Sequence, residues 1–238
     1  MGINFDFTIN VVAIVTGILG WGFIIFLAYR VYKNQTVKPK VWKILLVMFV
    51  GLFSFSFKWN MFDTMVKFPI LPLGVWILYF ILKGREERWQ TYRSFAWLGF
   101  WANFIFLGST LIAIPFHHML YPKNQPSTYI SNVDNASILT IHPSAKDWSL
   151  NKESLLNQLD TMSQETIFSN QWYEDTYMTE SNKRNERFPY QLIGTSSKWG
   201  SGLDTIIYIE DDGKGLLLST SQKQLYFRSE ESFVEGVE

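Results

Sequence analysis

The sequence predicts an α-helical membrane protein with four transmembrane helices, followed by an extracytoplasmic α+β domain with an antiparallel β-meander. Two observations predict this division. Four apolar runs fall within residues 1–120, whereas the remainder of the chain is polar. The charge changes sign at the same point, because residues 1–120 carry eleven Lys/Arg and four Asp/Glu, and residues 121–238 carry ten and seventeen. Net charges of +7 and −7 indicate two different environments.

The first apolar run, residues 9–29, has the length and composition of a transmembrane helix. It holds 21 residues without a charge, and about 20 apolar residues are needed to cross roughly 30 Å of hydrocarbon. A cluster of five basic residues follows it. Because cytoplasmic loops are rich in Lys and Arg, we expect this helix to begin outside the cytoplasm. The basic residues are Arg30, Lys33, Lys38, Lys40 and Lys43.

The two middle runs, residues 42–62 and 66–83, are predicted to form a helical hairpin with a short outer turn. The first run reaches spanning length only if Lys58 extends its charged end to the membrane surface. The alternative is a re-entrant pair of segments that does not fully cross.

The last run, residues 94–118, is predicted to cross from the cytoplasm to the exterior. The short loop before it contains Lys83, Arg85, Arg88 and Arg93, and this basic loop should be cytoplasmic. The sequence therefore predicts a multi-pass protein of the cell membrane, with the lipid bilayer as a partner. Its N-terminus and its C-terminal domain are expected outside the cytoplasm.

The polar half begins with a predicted linker, residues 121–136, which is rich in Pro, Asn and Ser and lacks periodicity. Residues 137–238 are predicted to form the α+β domain. A helix is expected after an N-cap at Ser149 or Asn151, because apolar residues recur at helical spacing up to Met162. The predicted strands are residues 137–141, 188–195, 203–210, 215–220 and 224–228, with a glycine-containing turn at 211–215.

Two asparagines within the apolar runs are candidate functional residues. Asn10 and Asn103 are polar groups that hydrocarbon penalises, so both should face protein or the interface. They would either line a substrate path or form hydrogen bonds between packed helices. Spacings of small residues that favour close helix packing occur at Ala13 and Gly17, Thr16 and Gly20, and Ser109 and Ala113.

The adjacent residues His117 and His118 lie at the outer end of the last run, and His142 is the third histidine of the chain. Neighbouring side chains on a helix point about 100° apart, so both rarely bind one ion. We interpret them as polar residues at the membrane interface. The sequence predicts neither a metal site nor a bound cofactor.

Acidic and aromatic residues of the polar half offer two further candidate sites. The acidic residues Asp204, Glu210, Asp211 and Asp212 lack the alternating spacing of a calcium loop, so a hairpin turn is the better interpretation. The aromatic side chains would either form a surface on which a ligand such as a glycan stacks or pack in the core. These aromatic residues are Trp148, Trp172, Tyr173, Tyr177 and Trp199.

Composition excludes cysteine chemistry and disfavours two further classes of function. The chain has no cysteine, which removes disulfides, thiolate metal sites and cysteine nucleophiles. The acidic polar half does not suit nucleic acid, and the spans lack the carboxylates that coupled transporters need. We therefore predict a non-catalytic binding or sensing protein that is an accessory or regulatory component of a cell-envelope system. Its expected partner is a membrane or envelope protein, and the sequence is compatible with an oligomer. The alternatives are a small transporter or channel component and, third, an envelope enzyme.

Overall fold

The computed structural model describes residues 9–62, 64–84, 86–167, 186–220 and 223–236. The chain divides into two compact units. Val12–His117 forms the helical unit, and Met1–Val11 together with His118–Glu238 forms the β-rich unit. Residues 9–11 therefore belong with the second half of the chain.

Four α-helices and one β-hairpin make up the helical unit and its two ends, within the described residues. Both terminal helices extend slightly beyond the unit, because Val11 and residues 118–120 belong to the β-rich unit. The helices are α1 (Val11–Lys33), α2 (Val41–Gly51), α3 (Leu73–Leu82) and α4 (Glu86–Leu120), and strands β1 (Phe55–Met61) and β2 (Thr64–Leu71) pair antiparallel between α2 and α3.

The middle of the helical unit differs from the predicted pair of continuous helices over 42–62 and 66–83. Helix α2 has 11 residues and α3 has 10, or about 16 and 15 Å of helix. The residues between them form the hairpin β1–β2 instead of extending both helices. A short apolar run does not distinguish a helix from a strand by periodicity, and the aromatic residues of β1 favour the extended form.

Within the described residues, two helices are long and apolar enough to cross a membrane, Val11–Lys33 and Glu87–Leu120. Helix α1 has 23 residues, or about 34 Å. Helix α4 has 35 residues, or about 52 Å, because it continues through the basic segment that precedes the predicted run at 94–118. Both helices indicate membrane association by length and composition.

Three glycines allow α2, α3 and α4 to approach each other closely. A Cβ atom added to Gly74 would lie 1.8 Å from the backbone oxygen of Val50. One added to Gly99 would lie 2.3 Å from the backbone oxygen of Met48. The third glycine at this crossing is Gly51, which has the same steric limit. No other residue type fits at these positions without separating the backbones.

One of the small-residue spacings also lies at a helix contact. A Cβ atom on Gly20 of α1 would lie 3.0 Å from Ser109 Oγ of α4, and the ring of Trp21 packs edge-on against Phe106 with centroids 5.1 Å apart. Gly17, by contrast, has no atom within 4 Å of its Cβ position. The spacing of small residues therefore did not distinguish Gly20, which lies at a helix contact, from Gly17, which has open space beside it.

The β-rich unit is built on a six-stranded antiparallel sheet with strand order β3-β6-β7-β8-β9-β5. Its central strands β6 to β9 are consecutive neighbours, which confirms the predicted meander. A separate pair, β10 with β4, completes its β-structure within the described residues. The strands are β3 (Ser137–Thr140), β4 (Trp148–Leu150), β5 (Ser163–Glu165), β6 (Tyr190–Ile193), β7 (Thr205–Ile209), β8 (Gly215–Thr220), β9 (Gln224–Arg228) and β10 (Val234–Gly236).

Helix α5 (Lys152–Gln158) packs on the sheet and begins where the sequence predicts. The side chain of Asn151 caps it, because Asn151 Oδ1 accepts from the backbone N–H of Ser154 at 2.8 Å. The helix has two turns and ends at Gln158, before Met162, where the predicted helical spacing ends. Leu155 and Leu159 are buried against the sheet.

The stretch predicted as a linker, residues 121–136, is part of the core. Tyr129, Ile130 and Val133 are buried in the same apolar cluster as the sheet and α5. A short 3-10 turn at Pro126–Thr128 and the loops beside it hold these residues, so their burial follows no regular period. The composition rich in Pro, Asn and Ser therefore indicated irregular backbone correctly, but the prediction of an exposed linker was wrong.

Candidate ligand pocket

The connection between β6 and β7 is a loop of residues 194–204, here called the β6–β7 loop. Gly200 and Gly202 have positive φ angles of 79° and 65°, which glycine adopts without strain. A Cβ atom on Gly200 would lie 2.7 Å from Tyr121 Oη and 2.8 Å from Val11 Cγ2. The chain therefore requires glycine here both for conformation and for close packing.

Hydrogen bonds from three separate segments fix the backbone of this loop. The backbone N–H of Lys198 donates to the backbone oxygen of Thr128 at 3.0 Å. Tyr121 Oη donates to the carbonyl of Trp199 at 3.0 Å, and the N–H of Val11 donates to the carbonyl of Gly200 at 3.0 Å. The tip of the loop is thus tied to residues 11, 121 and 128.

The β6–β7 loop encloses a pocket of about 460 Å³ within the β-rich unit. Its wall carries several hydroxyl groups, one cationic and one acidic side chain, and an apolar part of about equal extent. Such a lining suits a ligand with many hydrogen-bonding groups and little net charge. The lining residues are Ile9, Tyr129, Thr195, Ser196, Ser197, Lys198, Trp199, Gly200, Ser201, Gly202, Leu203, Asp204, Thr205 and Ile207.

Trp199 lies at the rim of this pocket with 78% of its surface exposed. Its backbone is fixed on both sides, although its indole ring projects into solvent. Trp148 differs, because its ring stacks on Tyr190 at 5.6 Å and packs against the core. The other three aromatic residues of the predicted stacking surface, at positions 172, 173 and 177, lie outside the described residues.

The two asparagines make different contacts. Asn10 forms an isolated antiparallel bridge with Ser201 of the β6–β7 loop. Asn103 Nδ2 donates to the backbone oxygens of Leu52 and Phe100 at 3.1 and 3.0 Å. Leu52 follows the last residue of α2, so Asn103 satisfies a carbonyl that the helix leaves open. Asn103 is therefore a packing residue between α4 and the end of α2.

The predicted acidic patch divides into separate environments. Asp204 is exposed and lines the pocket. Glu210 is buried, and its carboxylate accepts from Arg187 Nε at 2.7 Å, from Tyr226 Oη at 2.5 Å and from Arg228. Asp212 pairs with Arg228 as well. This cluster lies at one end of strands β7 and β9 and is a structural network.

The pKa shifts follow from this network. Burial alone would lower the pKa of Arg187, but its hydrogen bonds to Glu210 and Tyr226 raise it above the usual value. Burial raises the pKa of Tyr226, and its hydrogen bond to Glu210 raises it further. Both groups thus keep their protons across the physiological range.

The histidines give no metal centre in the described part of the chain. There, no three His, Asp or Glu side chains come together as a metal site requires. His117 and His118 are half-buried near the end of α4. His142 Nδ1 shares a hydrogen bond with Ser144 Oγ at 2.8 Å, and Ser144 Oγ also accepts from the N–H of Glu186 at 3.1 Å. These bonds join two turns of the β-rich unit.

The chain matches no family model, no curated protein and no solved structure. Its function must therefore be inferred from its own residues.

The sequence did not predict the β6–β7 loop as a site, because serine, glycine and threonine in a row indicate only an irregular segment. The bonds from Val11, Tyr121 and Thr128 that form the pocket come from distant positions in the chain.

Proposed function

We propose that this protein is a multi-pass membrane protein whose β-rich unit binds a ligand outside the cytoplasm without catalysing a reaction. Helices α1 and α4 support membrane residence, since each is long and apolar enough to cross. The basic residues between 30 and 43 and between 83 and 93 support a cytoplasmic location for both loops. The β-rich unit then lies outside.

This orientation does not depend on how far the middle segment reaches. Helix α2 follows one basic loop and α3 precedes the other, so the segment between them returns to the side from which it started. Helix α2 alone covers about 16 Å, less than the roughly 30 Å of hydrocarbon, and the open edges of the β1–β2 hairpin are costly there. A middle segment that enters the membrane and returns without crossing it fully leaves the orientation unchanged.

The pocket of the β6–β7 loop carries the binding part of the proposal. It is preformed, because backbone hydrogen bonds hold the loop from three sides. It offers hydroxyl groups, Lys198 and Asp204 to a ligand, and preorganised polar groups reduce the entropic cost of binding. A hydroxyl-rich component of the cell envelope, such as a wall polymer, matches this lining. An accessory role in an envelope system follows.

The orientation is tested with single cysteines, because the native chain has none. Ser163→Cys places a thiol on exposed strand β5, and Thr36→Cys places one in the loop after α1. A membrane-impermeant thiol reagent should label position 163 in intact cells and position 36 only after permeabilisation. The reverse pattern would overturn the orientation.

Binding is tested by calorimetric titration of the full chain in detergent with soluble peptidoglycan fragments. Saturable binding is expected, and Asp204→Asn should weaken it about tenfold, since a hydrogen bond to a charged group contributes about 1.5–3 kcal/mol. The control is Asp160→Asn, an exposed change outside the pocket. No saturable heat in the native protein, or equal weakening by both variants, would contradict the assignment.

A further inference from the structure

Five exposed residues of the β-rich unit adjoin the ends of α1 and α4, and we call them the Trp199 surface. Ile9 lies two positions before Val11, at which α1 begins, and Leu120 is the last residue of α4. Met119 is 80% exposed and Trp199 78%. The members of the Trp199 surface are Ile9, Met119, Leu120, Lys198 and Trp199.

Two hydrogen bonds hold the backbone at Trp199 and Gly200 beside the first residue of α1 and the residue that follows α4. The carbonyl of Gly200 accepts from the N–H of Val11, the first residue of α1. The carbonyl of Trp199 itself accepts from the hydroxyl of Tyr121, which follows α4 directly. Consecutive Cα atoms are about 3.8 Å apart, so the backbone of Trp199 lies within a short distance of both helix ends.

The chemistry of the Trp199 surface matches the headgroup layer of a membrane. Tryptophan is enriched where hydrocarbon meets water, because its ring is apolar and its N–H is polar. Lys198 carries a cation on a long apolar stem, which suits contact with lipid phosphate. Ile9, Met119 and Leu120 add apolar area that water disfavours.

We propose that the Trp199 surface lies in the headgroup layer of the outer leaflet and that phospholipid is its partner. The inference rests on the proposed membrane residence of α1 and α4. Because Ile9 and Trp199 also line the pocket, the pocket opens beside the headgroups. A ligand attached to the membrane would then reach the pocket without leaving the surface.

A different occupant would leave Trp199 in water. If the indole ring serves only to stack on a soluble ligand, its surroundings without that ligand are aqueous. The two cases therefore differ in the depth of Trp199 in an empty bilayer, which can be measured directly.

The test uses Lys198→Cys in the full chain, which removes the cation of the Trp199 surface but retains Trp199 and the three apolar members. The thiol is labelled with an environment-sensitive fluorophore, and the protein is reconstituted into vesicles of phosphatidylcholine and phosphatidylglycerol. Spin labels on the headgroup or at mid-acyl chain act as quenchers. We expect headgroup quenching at position 198 at least twofold above that of Ser163→Cys.

Ser163 is the matched control because the strand register places it at the other end of the sheet. It pairs with Arg228, which pairs with Gly215, whereas the β6–β7 loop joins the opposite ends of β6 and β7. A third variant, Leu19→Cys, reports the membrane itself, since Leu19 lies near the middle of α1 and is exposed. The acyl-chain label should quench it strongly.

The outcomes separate the two proposals. Quenching at position 19 together with equal quenching at 198 and 163 would overturn the Trp199 inference and leave membrane residence intact. Absence of quenching at position 19 would overturn membrane residence itself. Adding Trp199→Ala to the Lys198→Cys variant should halve the headgroup quenching, and an unchanged signal would show that Trp199 is not the anchor.

Discussion

Glu210 and Arg187 form an ion pair in the β-rich unit, with Oε1 and Nε 2.7 Å apart and with only 7% of the glutamate side chain exposed. Arg228 and Tyr226 bind the second carboxylate oxygen. One carboxylate therefore joins residue 187, strand β9 and the end of β7.

Glu210→Gln should destabilise the β-rich unit by about 2–3 kcal/mol. Removing one member of a buried pair costs about 3–5 kcal/mol, and the partial exposure of both arginines, 31% each, reduces this penalty. The measurement is the urea midpoint of the full chain in detergent, followed by near-UV circular dichroism. The exposed change Glu165→Gln is the control, with an effect within about 0.5 kcal/mol.

Gly74→Ala should disrupt the crossing of α2, α3 and α4. The new methyl group would overlap the backbone oxygen of Val50, and overpacking of this kind costs about 1–3 kcal/mol or more. Gly17→Ala is the matched control in α1, where the Cβ position is open and alanine favours helix by about 1 kcal/mol. The thermal unfolding temperature in detergent should fall for Gly74→Ala and not for Gly17→Ala. Equal behaviour would contradict the close approach.

Asn103→Leu should weaken the helical unit by about 1 kcal/mol, since it removes two hydrogen bonds of a half-buried amide. Asn103→Asp would keep an acceptor but lose the donor that Leu52 needs, and it should be at least as harmful. Detergent stability of both variants tests this. A stability equal to the native protein would show that the amide serves another purpose.

Asp211→Asn should raise stability at neutral pH. Although Asp211 is exposed at the surface, partial desolvation of its carboxyl raises its pKa, and repulsion from Asp212 and Glu210 raises it further. A folded state that binds this proton more tightly loses stability as the pH rises from the unfolded pKa, about 3.9, through the folded pKa. Melting temperatures at pH 3 should be equal for the two proteins, and at pH 7 the variant should melt higher. The exposed Asp160→Asn change controls for net charge.

Tyr129→Phe should reduce alkaline unfolding. Burial raises the pKa of Tyr129 to about 12, whereas the unfolded chain ionises near pH 10. The folded state consequently loses about 2–3 kcal/mol between these pH values, and phenylalanine cannot ionise. The variant loses the bond to the carbonyl of Lys123 at neutral pH, so the decisive measurement is the slope of stability against pH above 10. Tyr208→Phe is the control.

Several local features of the fold could be predicted from sequence. The bounds of β8 and β9 agree with the predicted strands at 215–220 and 224–228, and Asn151 caps α5 as one of the two residues proposed. These elements carry their information in neighbouring residues, as short apolar runs, a turn glycine and a capping amide. The pairing of β10 with β4 could not be found in this way, since Val234 lies opposite Leu150 and each strand has three residues.

The sequence by itself determined the division into an apolar basic half and a polar acidic half, and the meander of β6 to β9, because composition and period are local properties. Tertiary structure decided that residues 55–71 form a hairpin, that residues 121–136 enter the core, and that Trp199 stands on a fixed backbone. Each of these outcomes depends on contacts between distant residues. The hydrogen bonds from Val11 and Tyr121 to the β6–β7 loop join positions far apart in the chain, and no local pattern encodes them.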